Sequence, residues 1–357
     1  CNYNIKTDNN TMKTSLSTLL FFVCIHVKFS SSFIRFYKSF VHPNSHSYRA
    51  NEQQNLHELS TLFLTTKVEP NVELYSHIKF AILGGGAFSL ALAKVLSYKN
   101  ISSNLLVRNE TVAEYINEHH FHPKYLSDSK LPIQLRATSD PALALKDINY
   151  IIHAVPMQES RKFLTSMKSH IPCKVPILSV TKGVELGTFS LMNDILAETI
   201  GSDNPTAFLS GPSFAKEIMN GEATAVVIAS VDETLSKELA EILSSVEFRC
   251  HTSRDVVGVE LGGAIKNVIA LAAGMCEGLD LGMNAMSSLV TRGCLEMGSM
   301  GKLFGANQET FWGLAGVGDT FGTCLGPLSR NRKVGYRLAK GEDLQDVLKS
   351  MDGVSEG

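Results

Sequence analysis

Short apolar runs alternate with stretches of helical periodicity between residues 78 and 210. Five runs are rich in aliphatic and β-branched residues: IKFAIL (78–83), NLLV (104–107), INYIIHAVP (148–156), VPILSVTKG (175–183) and TAFL (206–209). Continuous apolar runs separated by amphipathic helices are typical of a parallel sheet that helices cover on both faces. The pattern therefore predicts a doubly wound, Rossmann-like α/β domain.

Strand-like runs stop after residue 253, and a long apolar stretch follows at 256–279, VVGVELGGAIKNVIALAAGMCEGL. Its periodicity predicts a helix that Gly262 and Gly263 interrupt. No further strand pattern appears towards the end of the sequence. We therefore expect an α/β domain over residues 77–253 followed by an all-α domain over residues 254–357.

A glycine string follows the first apolar run and opens a helical stretch, GGGAFSLALAKVLS at 84–97. Gly84 and Gly86 occupy the first two glycines of a GxGxxG motif, where a missing Cβ lets backbone N–H groups approach a pyrophosphate. Ser89 stands in the third position, where a small residue packs the helix against the strand. Strand, turn and helix together predict a dinucleotide site.

The end of the second apolar run bears on which dinucleotide binds. Arg108 stands where NAD-specific folds often place an acidic residue for the ribose hydroxyls. Its guanidinium could hold the 2′-phosphate of NADP, or Arg108 could be an ordinary surface residue. Because Glu110 is close enough in sequence to serve the ribose of NAD, we expect NAD or NADP as the cofactor.

Two lysines are candidates for the chemistry. Lys182 lies in TKG at the carboxyl end of a predicted strand, where open α/β sheets place their ligands. Lys266, followed by Asn267, stands in the middle of the apolar stretch, so it buries its charge, faces a cleft or snorkels to solvent. We favour the cleft, because Gly262 one turn earlier would let a ligand approach the backbone.

Two further segments carry polar side chains beside glycines. Ser213, in SGPS before a helical stretch, is either a helix N-cap or an anion ligand. The segment GLAGVGDTFGTC at 313–324 predicts a glycine-rich loop that carries Asp319 and Thr323. Both segments are candidate parts of the substrate site.

The sequence LSRNRKVGYRLAKG predicts a helix that Ser329, Arg330 and Asn331 open. A guanidinium can bind phosphate oxygens through two parallel hydrogen bonds, and the N–H groups at a helix start add further donors. These three residues therefore predict a phosphate-binding site.

The composition excludes several classes of protein. The chain has 357 residues, and 33 basic against 35 acidic side chains give a net charge of −2. It therefore has no overall basic field that would gather nucleic acid. Its seven cysteines are scattered without zinc spacing, so we expect reduced thiols and no metal site.

Residues 1–76 precede the first predicted strand and look like a targeting leader. The run LSTLLFFVCI at 16–25 is too short to span a bilayer but suits a signal-peptide core, so we expect no stable membrane anchor. Residues 11–50 contain no Asp or Glu and several basic residues, as transit peptides do. Two such signals in series resemble the leaders of proteins sent to plastids of secondary origin; the alternative is a disordered extension on a cytoplasmic protein.

Eight sequence blocks occur in the order found in NAD(P)-dependent glycerol-3-phosphate dehydrogenases: LGGGAFSLALA, AVP, TKGVE, SGPSFAKE, GVELGGAIKNVIALAAGM, TRG, GLAGVGDTFGTC and SRNRKVG. From about residue 78 to its end the chain closely resembles that family. The resemblance implies a Rossmann-like domain followed by an all-helical domain. It also implies interconversion of dihydroxyacetone phosphate and sn-glycerol 3-phosphate, for glycerophospholipid synthesis.

The motifs and the resemblance together assign roles to individual residues. Lys266 resembles the family's general acid/base, with Lys182 as a second catalytic cation. The residues expected around the substrate are Lys182, Gly211, Ser213, Asn267, Asp319, Thr323, Ser329, Arg330 and Asn331. The residues expected at the cofactor are Gly84, Gly86, Ala87, Phe88, Arg108, Lys182, Ala215, Arg330, Val354 and Glu356. We also expect a homodimer.

In this reaction hydride passes from the nicotinamide to the ketone carbon, and a nearby ammonium stabilises and protonates the ketone oxygen. An unperturbed lysine has a pKa of about 10.4. We expect burial and the charge of Lys182 to lower the pKa of Lys266 towards neutrality.

Two features depart from the family pattern. Ser89 replaces the third glycine, and the sequence stops at Gly357 where family members continue with further helices. They leave open a catalytically silent dinucleotide-binding protein. A second alternative is a related two-domain reductase that acts on another hydroxy acid, because one fold can host several reactions.

Overall fold

All five predicted strands belong to one eight-stranded sheet in the computed structural model, which describes residues 75–351. The leader up to residue 74, together with Val354 and Glu356, lies outside the described residues. In chain order the strands are β1 (Lys79–Leu83), β2 (Ser102–Leu106), β3 (Leu135–Thr138), β4 (Tyr150–His153), β5 (Ile177–Ser179), β6 (Thr206–Ser210), β7 (Thr224–Ala229) and β8 (Phe248–Ser253).

The strands lie in the order β3-β2-β1-β4-β5-β6-β7-β8. Every neighbouring pair is parallel except β6 and β7, which pair antiparallel. The chain builds outward from β1 to β3 and then returns to place β4 on the other side of β1. This reversal creates a crevice at the carboxyl ends of β1 and β4, where sheets of this kind bind their ligands.

Three strands were not predicted from the sequence, and for the two edge strands the reason is plain. Strands β3 and β8 form the two edges of the sheet, and their sequences, LRAT and FRCHTS, mix buried with exposed polar positions. Edge strands need no continuous apolar run, so the criterion that found the central strands does not find them. Strand β7, TAVVIA, does carry such a run, so the same criterion could have found it. Its partly exposed positions alternate with buried ones.

Thirteen α-helices occur within the described residues. They are α1 (Ala87–Ser97), α2 (Glu110–His119), α3 (Pro141–Ala144), α4 (Met157–Met167), α5 (Met192–Thr199), α6 (Ala215–Met219), α7 (Glu233–Leu243), α8 (Val256–Gly278), α9 (Gly282–Leu303), α10 (Gln308–Trp312), α11 (Asp319–Leu325), α12 (Arg330–Ala339) and α13 (Leu344–Lys349). A π-helical turn, Leu314–Gly318, leads into α11.

The central strands are buried on both faces. Along β1, Phe80 and Ile82 belong to the apolar core on one face of the sheet, whereas Ala81 and Leu83 belong to the core on the other. Helices cover both faces, so a strand in the middle of the sheet has no polar side. This is why the central strands appear in the sequence as continuous apolar runs.

Helix α8 joins the sheet to the helical part of the chain. Its first turn contributes Val256 and Val259 to the core under the sheet, and its later turns contribute Ile269 and Ala273 to a separate core shared with α9. By length and composition α8 could cross a membrane, but 72% of its most apolar window is buried inside the protein. Its apolar character therefore fits a core helix.

Two predictions about the helical part are wrong. Helix α8 runs unbroken through Gly262 and Gly263, and the predicted loop at 313–324 is helical. A Cβ on Gly262 would lie 2.3 Å from the carbonyl oxygen of Ala315. The glycine therefore admits the backbone of the π-helical turn against α8, and not a ligand as the sequence analysis expected.

Candidate active site

The ammonium of Lys266 is buried and paired. Its Nζ lies 2.5 Å from Asp319 Oδ1 and donates a hydrogen bond to Thr323 Oγ1 at 3.1 Å. The side chain is only 10% exposed, so it does not snorkel to solvent. Helix α8 supplies the lysine, and the first two turns of α11 supply its partners.

Lys182 reaches the same carboxylate from the sheet. It follows β5 by three residues, and its Nζ lies 2.7 Å from Asp319 Oδ2 and 3.1 Å from the Gly211 carbonyl oxygen. Each oxygen of Asp319 therefore holds one ammonium. The three side chains, which we call the lysine cluster, carry a net charge of +1 when both lysines are protonated.

The lysine cluster perturbs its own titration. The pKa of Lys266 is lowered to about 8: burial is the largest cause, the charge of Asp319 opposes it, and the charge of Lys182 adds to it. Burial alone would raise the pKa of Asp319, but the two neighbouring ammonium groups outweigh it and hold the pKa below its usual value. The expected direction for Lys266 and both of its expected causes are confirmed, whereas the opposing effect of Asp319 was not anticipated.

The turn after β6 brings Ser213 to the cluster. Gly211 has a φ of +135°, and its carbonyl oxygen accepts hydrogen bonds from both Lys182 Nζ and the Ser213 hydroxyl, the latter at 2.9 Å. Helix α6 starts only at Ala215, with Phe214 at its N-cap and no side-chain cap. The N-cap interpretation of Ser213 is therefore wrong, because the helix begins too late for its hydroxyl to serve it.

The predicted phosphate-binding residues open α12 as expected. Ser329 is the N-cap, and its hydroxyl accepts from the backbone N–H of Arg332 at 3.2 Å. Ser329 and Asn331 are buried, whereas the Arg330 side chain is exposed and forms no ion pair among residues 75–351. A helix start with an available guanidinium suits a dianionic phosphate.

The glycine motif forms a tight turn between β1 and α1. Gly84 has a φ of +111°, and a Cβ there would lie 2.8 Å from the carbonyl oxygen of Ala154 in the turn after β4. Gly86 is the N-cap of α1, no side chain caps this helix, and a Cβ on Gly86 would meet open space. Uncapped backbone N–H groups with free space before them fit a dinucleotide pyrophosphate.

Four more of the expected cofactor residues lie on this turn's own helix or on elements next to it. Ala87 and Phe88 form the first turn of α1, and Ala215 begins α6, which packs against α1. Arg108 is exposed two residues beyond β2. The carboxylate of Glu110 accepts a hydrogen bond from the Ser139 hydroxyl, which directs it towards the end of β3.

Three polar residues that hold the chain on either side of Lys182 were not found from the sequence. The hydroxyl of Thr181, next to Lys182, donates to the Val155 carbonyl oxygen at 2.8 Å and lies 3.3 Å from His153 Nδ1. Complete burial lowers the pKa of His153 to about 4, so the ring is neutral. The third residue, Glu185, follows Lys182 by three residues and pairs with Arg161 on α4, at 2.8 Å from Nε. AVP and TKG follow the neighbouring strands β4 and β5. Their positions in the sequence could therefore have indicated the contact between Thr181 and Val155.

Residues 75–351 contain no group of three or more His, Cys, Asp and Glu side chains placed to hold a metal ion. The five cysteines in this part of the chain are free thiols, four of them buried. Asn267 is buried on α8 beside Lys266. The polar chemistry around the sheet's carboxyl end is therefore that of ammonium, carboxylate, hydroxyl and backbone groups.

Comparison with known proteins identifies the family. The model of the NAD-dependent glycerol-3-phosphate dehydrogenase N-terminus matches residues 79–236, and that of the C-terminus matches residues 255–357. The chain belongs to the NAD-dependent glycerol-3-phosphate dehydrogenase family. It is thus an oxidoreductase that uses NAD or NADP, and the predicted family, enzyme class and cofactors are confirmed.

Individual relatives agree with this assignment. The chloroplastic NAD(+) glycerol-3-phosphate dehydrogenase 2 of Arabidopsis thaliana is 43% identical over 282 residues, which are 78% of this chain and 67% of the relative. The NAD(P)+ enzyme of Leptospira biflexa is also 43% identical, over 78% of this chain and 85% of its own. The Coxiella burnetii enzyme structure aligns with a TM-score of 0.76 at 36% identity, over 79% of this chain and 86% of its own. The predicted fold class is confirmed by this likeness.

Proposed function

We propose that the chain reduces dihydroxyacetone phosphate to sn-glycerol 3-phosphate, with Lys266 as the proton donor and Lys182 as a second cation at the ketone. The observation that carries this proposal is the lysine cluster itself. A buried site with net positive charge stabilises the negative charge that develops on a ketone oxygen during reduction. Lys266 also has a proton to give, since its pKa of about 8 lies close to physiological pH.

The environment of Lys266 favours release of its proton. Once Lys266 is neutral, Asp319 still holds the ammonium of Lys182 at 2.7 Å, so no buried charge is left unpaired. Thr323 keeps its own hydrogen bond to the Asp319 carbonyl oxygen, at 2.6 Å within α11. Lys266 can therefore lose and regain a proton without rearrangement of its partners.

The substrate's phosphate is proposed to lie at the start of α12. Arg330 supplies a paired set of donors, and Ser329 and Asn331 flank it. The other proposed substrate contacts are Lys182, Gly211, Ser213, Asn267, Asp319 and Thr323. Binding energy from the phosphate, which does not react, helps to orient the ketone towards Lys266.

The nicotinamide dinucleotide supplies the hydride when it is bound. Its proposed contacts are Gly84, Gly86, Ala87, Phe88, Arg108, Lys182, Ala215 and Arg330, with Val354 and Glu356 as further candidates outside the described residues. The open space before the uncapped start of α1 supports the pyrophosphate position. The exposed guanidinium of Arg108 supports a contact with the 2′-phosphate of NADP.

Further proposals concern organisation and location. We propose that residues 77–253 and 254–357 are separate domains and that the chain forms a homodimer. We also propose that it binds small molecules, that it does not bind nucleic acid, and that it has no stable membrane anchor. We also propose that the leader directs it to a plastid of secondary origin, with the cytoplasm as the alternative. Two plant relatives are named chloroplastic, which supports the plastid.

The proposed activity is tested by following the oxidation of NADH and of NADPH on addition of dihydroxyacetone phosphate. Oxidation that depends on dihydroxyacetone phosphate, and that a 2-oxo acid without phosphate does not elicit, is the expected result. Cofactor binding without turnover would identify a catalytically silent protein instead. Preference for the 2-oxo acid would identify a hydroxy-acid reductase.

A further inference from the structure

The segment that follows Lys182, residues 183–190, is fastened to one face of helix α4. Gln158 binds its backbone twice: Gln158 Nε2 donates to the Val184 carbonyl oxygen at 2.9 Å, and the Leu186 N–H donates to Gln158 Oε1 at 3.0 Å. These contacts begin two residues after Lys182. They therefore restrict the backbone from which the lysine side chain extends.

One turn further along α4, Arg161 binds the same segment through Glu185. Arg161 Nε lies 2.8 and 3.0 Å from the two carboxylate oxygens, and Nη2 lies 2.8 Å from Oε2. The Thr188 hydroxyl donates to the same carboxylate at 2.6 Å. Glu185 is buried, so this bidentate ion pair is less screened than one at the surface.

Of the segment's apolar side chains, only Val184 packs against a core, and it is partly buried. The segment's two large apolar side chains, Leu186 and Phe189, are 75% and 72% exposed. Phe189 also has a φ of +58°, which an L-residue adopts only when its surroundings hold it there. The polar contacts to α4 therefore restrain the chain after Lys182, beside two backbone hydrogen bonds within the segment, from Glu185 N–H to the Ser190 carbonyl oxygen at 3.0 Å and from Phe189 N–H to the Glu185 carbonyl oxygen at 2.9 Å.

The residue before Lys182 is restrained as well. The Thr181 hydroxyl donates to the Val155 carbonyl oxygen, so the backbone is fixed on both sides of the lysine. At the far end of its side chain, the ammonium meets Gly211 and Asp319. Loss of the restraint from α4 would let this ammonium move away from Asp319.

We propose that Arg161 and Glu185 are positioning residues whose ion pair holds the Lys182 ammonium against Asp319. Because Lys266 binds the same carboxylate, at 2.5 Å, the position of Lys182 also acts on the acidity of Lys266. The proposal rests on the roles proposed above for Lys182 and Lys266. Neither Arg161 nor Glu185 is placed near the substrate. Both act through the backbone of residues 183–186.

The direction of the effect follows from the charges that face Lys266. Lys182 lowers the pKa of Lys266, Asp319 raises it, and the nearby Cys324 thiol is neutral because burial raises its own pKa to about 12. When Lys182 withdraws, its lowering effect is lost and Asp319 acts on Lys266 alone. The pKa of Lys266 therefore rises.

The test compares Arg161→Met and Glu185→Gln with a matched control, Glu198→Gln. Glu198 is the second partner of Arg161, at 2.5 Å from Nη1, but it is 55% exposed and belongs to α5 and not to the segment. Glu185→Gln keeps the shape of the side chain and its hydrogen bond from Thr188. If circular dichroism shows that Arg161→Met does not fold, Glu185→Gln alone tests whether the ion pair positions Lys182.

The pKa of Lys266 is measured in the full chain without substrate or cofactor, by competitive labelling of lysines with acetic anhydride across a pH series and mass spectrometry. We expect a rise of about one pH unit in Arg161→Met and Glu185→Gln, at the lower end of the effect of a nearby charge. We expect no change in Glu198→Gln. In turnover, kcat/KM for dihydroxyacetone phosphate should fall by about 10- to 100-fold in Arg161→Met.

A lower melting temperature with an unchanged pKa of Lys266 in both variants would overturn the proposal, because the ion pair would then serve stability alone. An equal shift in Glu198→Gln would also overturn it. The labelling experiment needs no activity. Absence of turnover in the parent chain would therefore count against the proposed function and leave the positioning result separately readable.

Discussion

The proposed dinucleotide end of the site uses the consecutive residues 84–89, whereas the lysine cluster uses three side chains from three elements far apart in the sequence. The first is made of glycines and backbone N–H groups at the start of α1. The second is made of buried charges whose spacing depends on how α8 and α11 pack on the sheet. A backbone site tolerates side-chain changes, whereas a charge cluster depends on each member and on pH.

The largest expected effect is at the cluster. Lys266→Met keeps the length and apolar packing of the side chain but removes the proton, so kcat should fall by about 10²- to 10⁴-fold. Asp319 remains paired with Lys182, so folding and dinucleotide affinity should stay near those of the parent. Steady-state kinetics and a fluorescence titration with NADH check both parts. Turnover within a few-fold of the parent would make Lys266 structural and move the proton donor to Lys182.

The matched control for that variant is Lys302→Met, which removes an exposed lysine from the last turn of α9. It deletes the same charge outside the cluster. Its kcat should be unchanged.

A smaller effect is expected at the outer part of the dinucleotide end, where one side chain contributes. Arg108→Ala should weaken NADPH binding by about 1.5–3 kcal/mol, the value of one hydrogen bond to a charged group. NADH lacks the 2′-phosphate and should bind almost as before. Dissociation constants for both dinucleotides provide the measurement, with Arg249→Ala on the opposite edge strand β8 as the control. Equal losses for NADH and NADPH would remove Arg108 from the 2′-phosphate.

The smallest effect is expected inside the glycine turn. Ser89 is 1% exposed, and its hydroxyl has no hydrogen-bond partner among the described residues. Ser89→Ala removes this unsatisfied group and improves helix propensity, so the protein should gain about 1 kcal/mol of stability. Because the turn acts through its backbone, the KM for the dinucleotide should not change. Denaturant unfolding and steady-state kinetics test the two halves, and a weakened dinucleotide KM would show that the hydroxyl takes part in binding.

The same contrast explains what the sequence could predict. Residues 84–89 and the central strands follow from local pattern, because a turn or a buried strand is determined by neighbours in sequence. Lys182, Lys266 and Asp319 could each be selected by residue type and motif. That one carboxylate joins both lysines could not be predicted, since Asp319 was assigned to a loop and instead begins helix α11. Its position depends on the packing of a glycine-rich segment against α8, which no local pattern contains.

Arg161 and Glu185 illustrate the limit further. Their side chains meet across α4 and the segment after β5, and nothing in the spacing of RKF and GVE in the sequence indicates an ion pair. Edge strands β3 and β8 were not predicted for a different reason: their polar sequences resemble those of loops. Local pattern therefore predicts the frame of the site better than the contacts that adjust it.

The pH dependence of kcat in both directions tests the central claim most directly. The claim is that Lys266, with its pKa lowered to about 8, carries the transferred proton. Reduction needs the protonated lysine, so its kcat should fall as pH rises through about 8; oxidation needs the neutral amine, so its kcat should rise over the same range. Lys266→Met should lose both transitions. Identical pH profiles in the parent and in Lys266→Met would contradict the account.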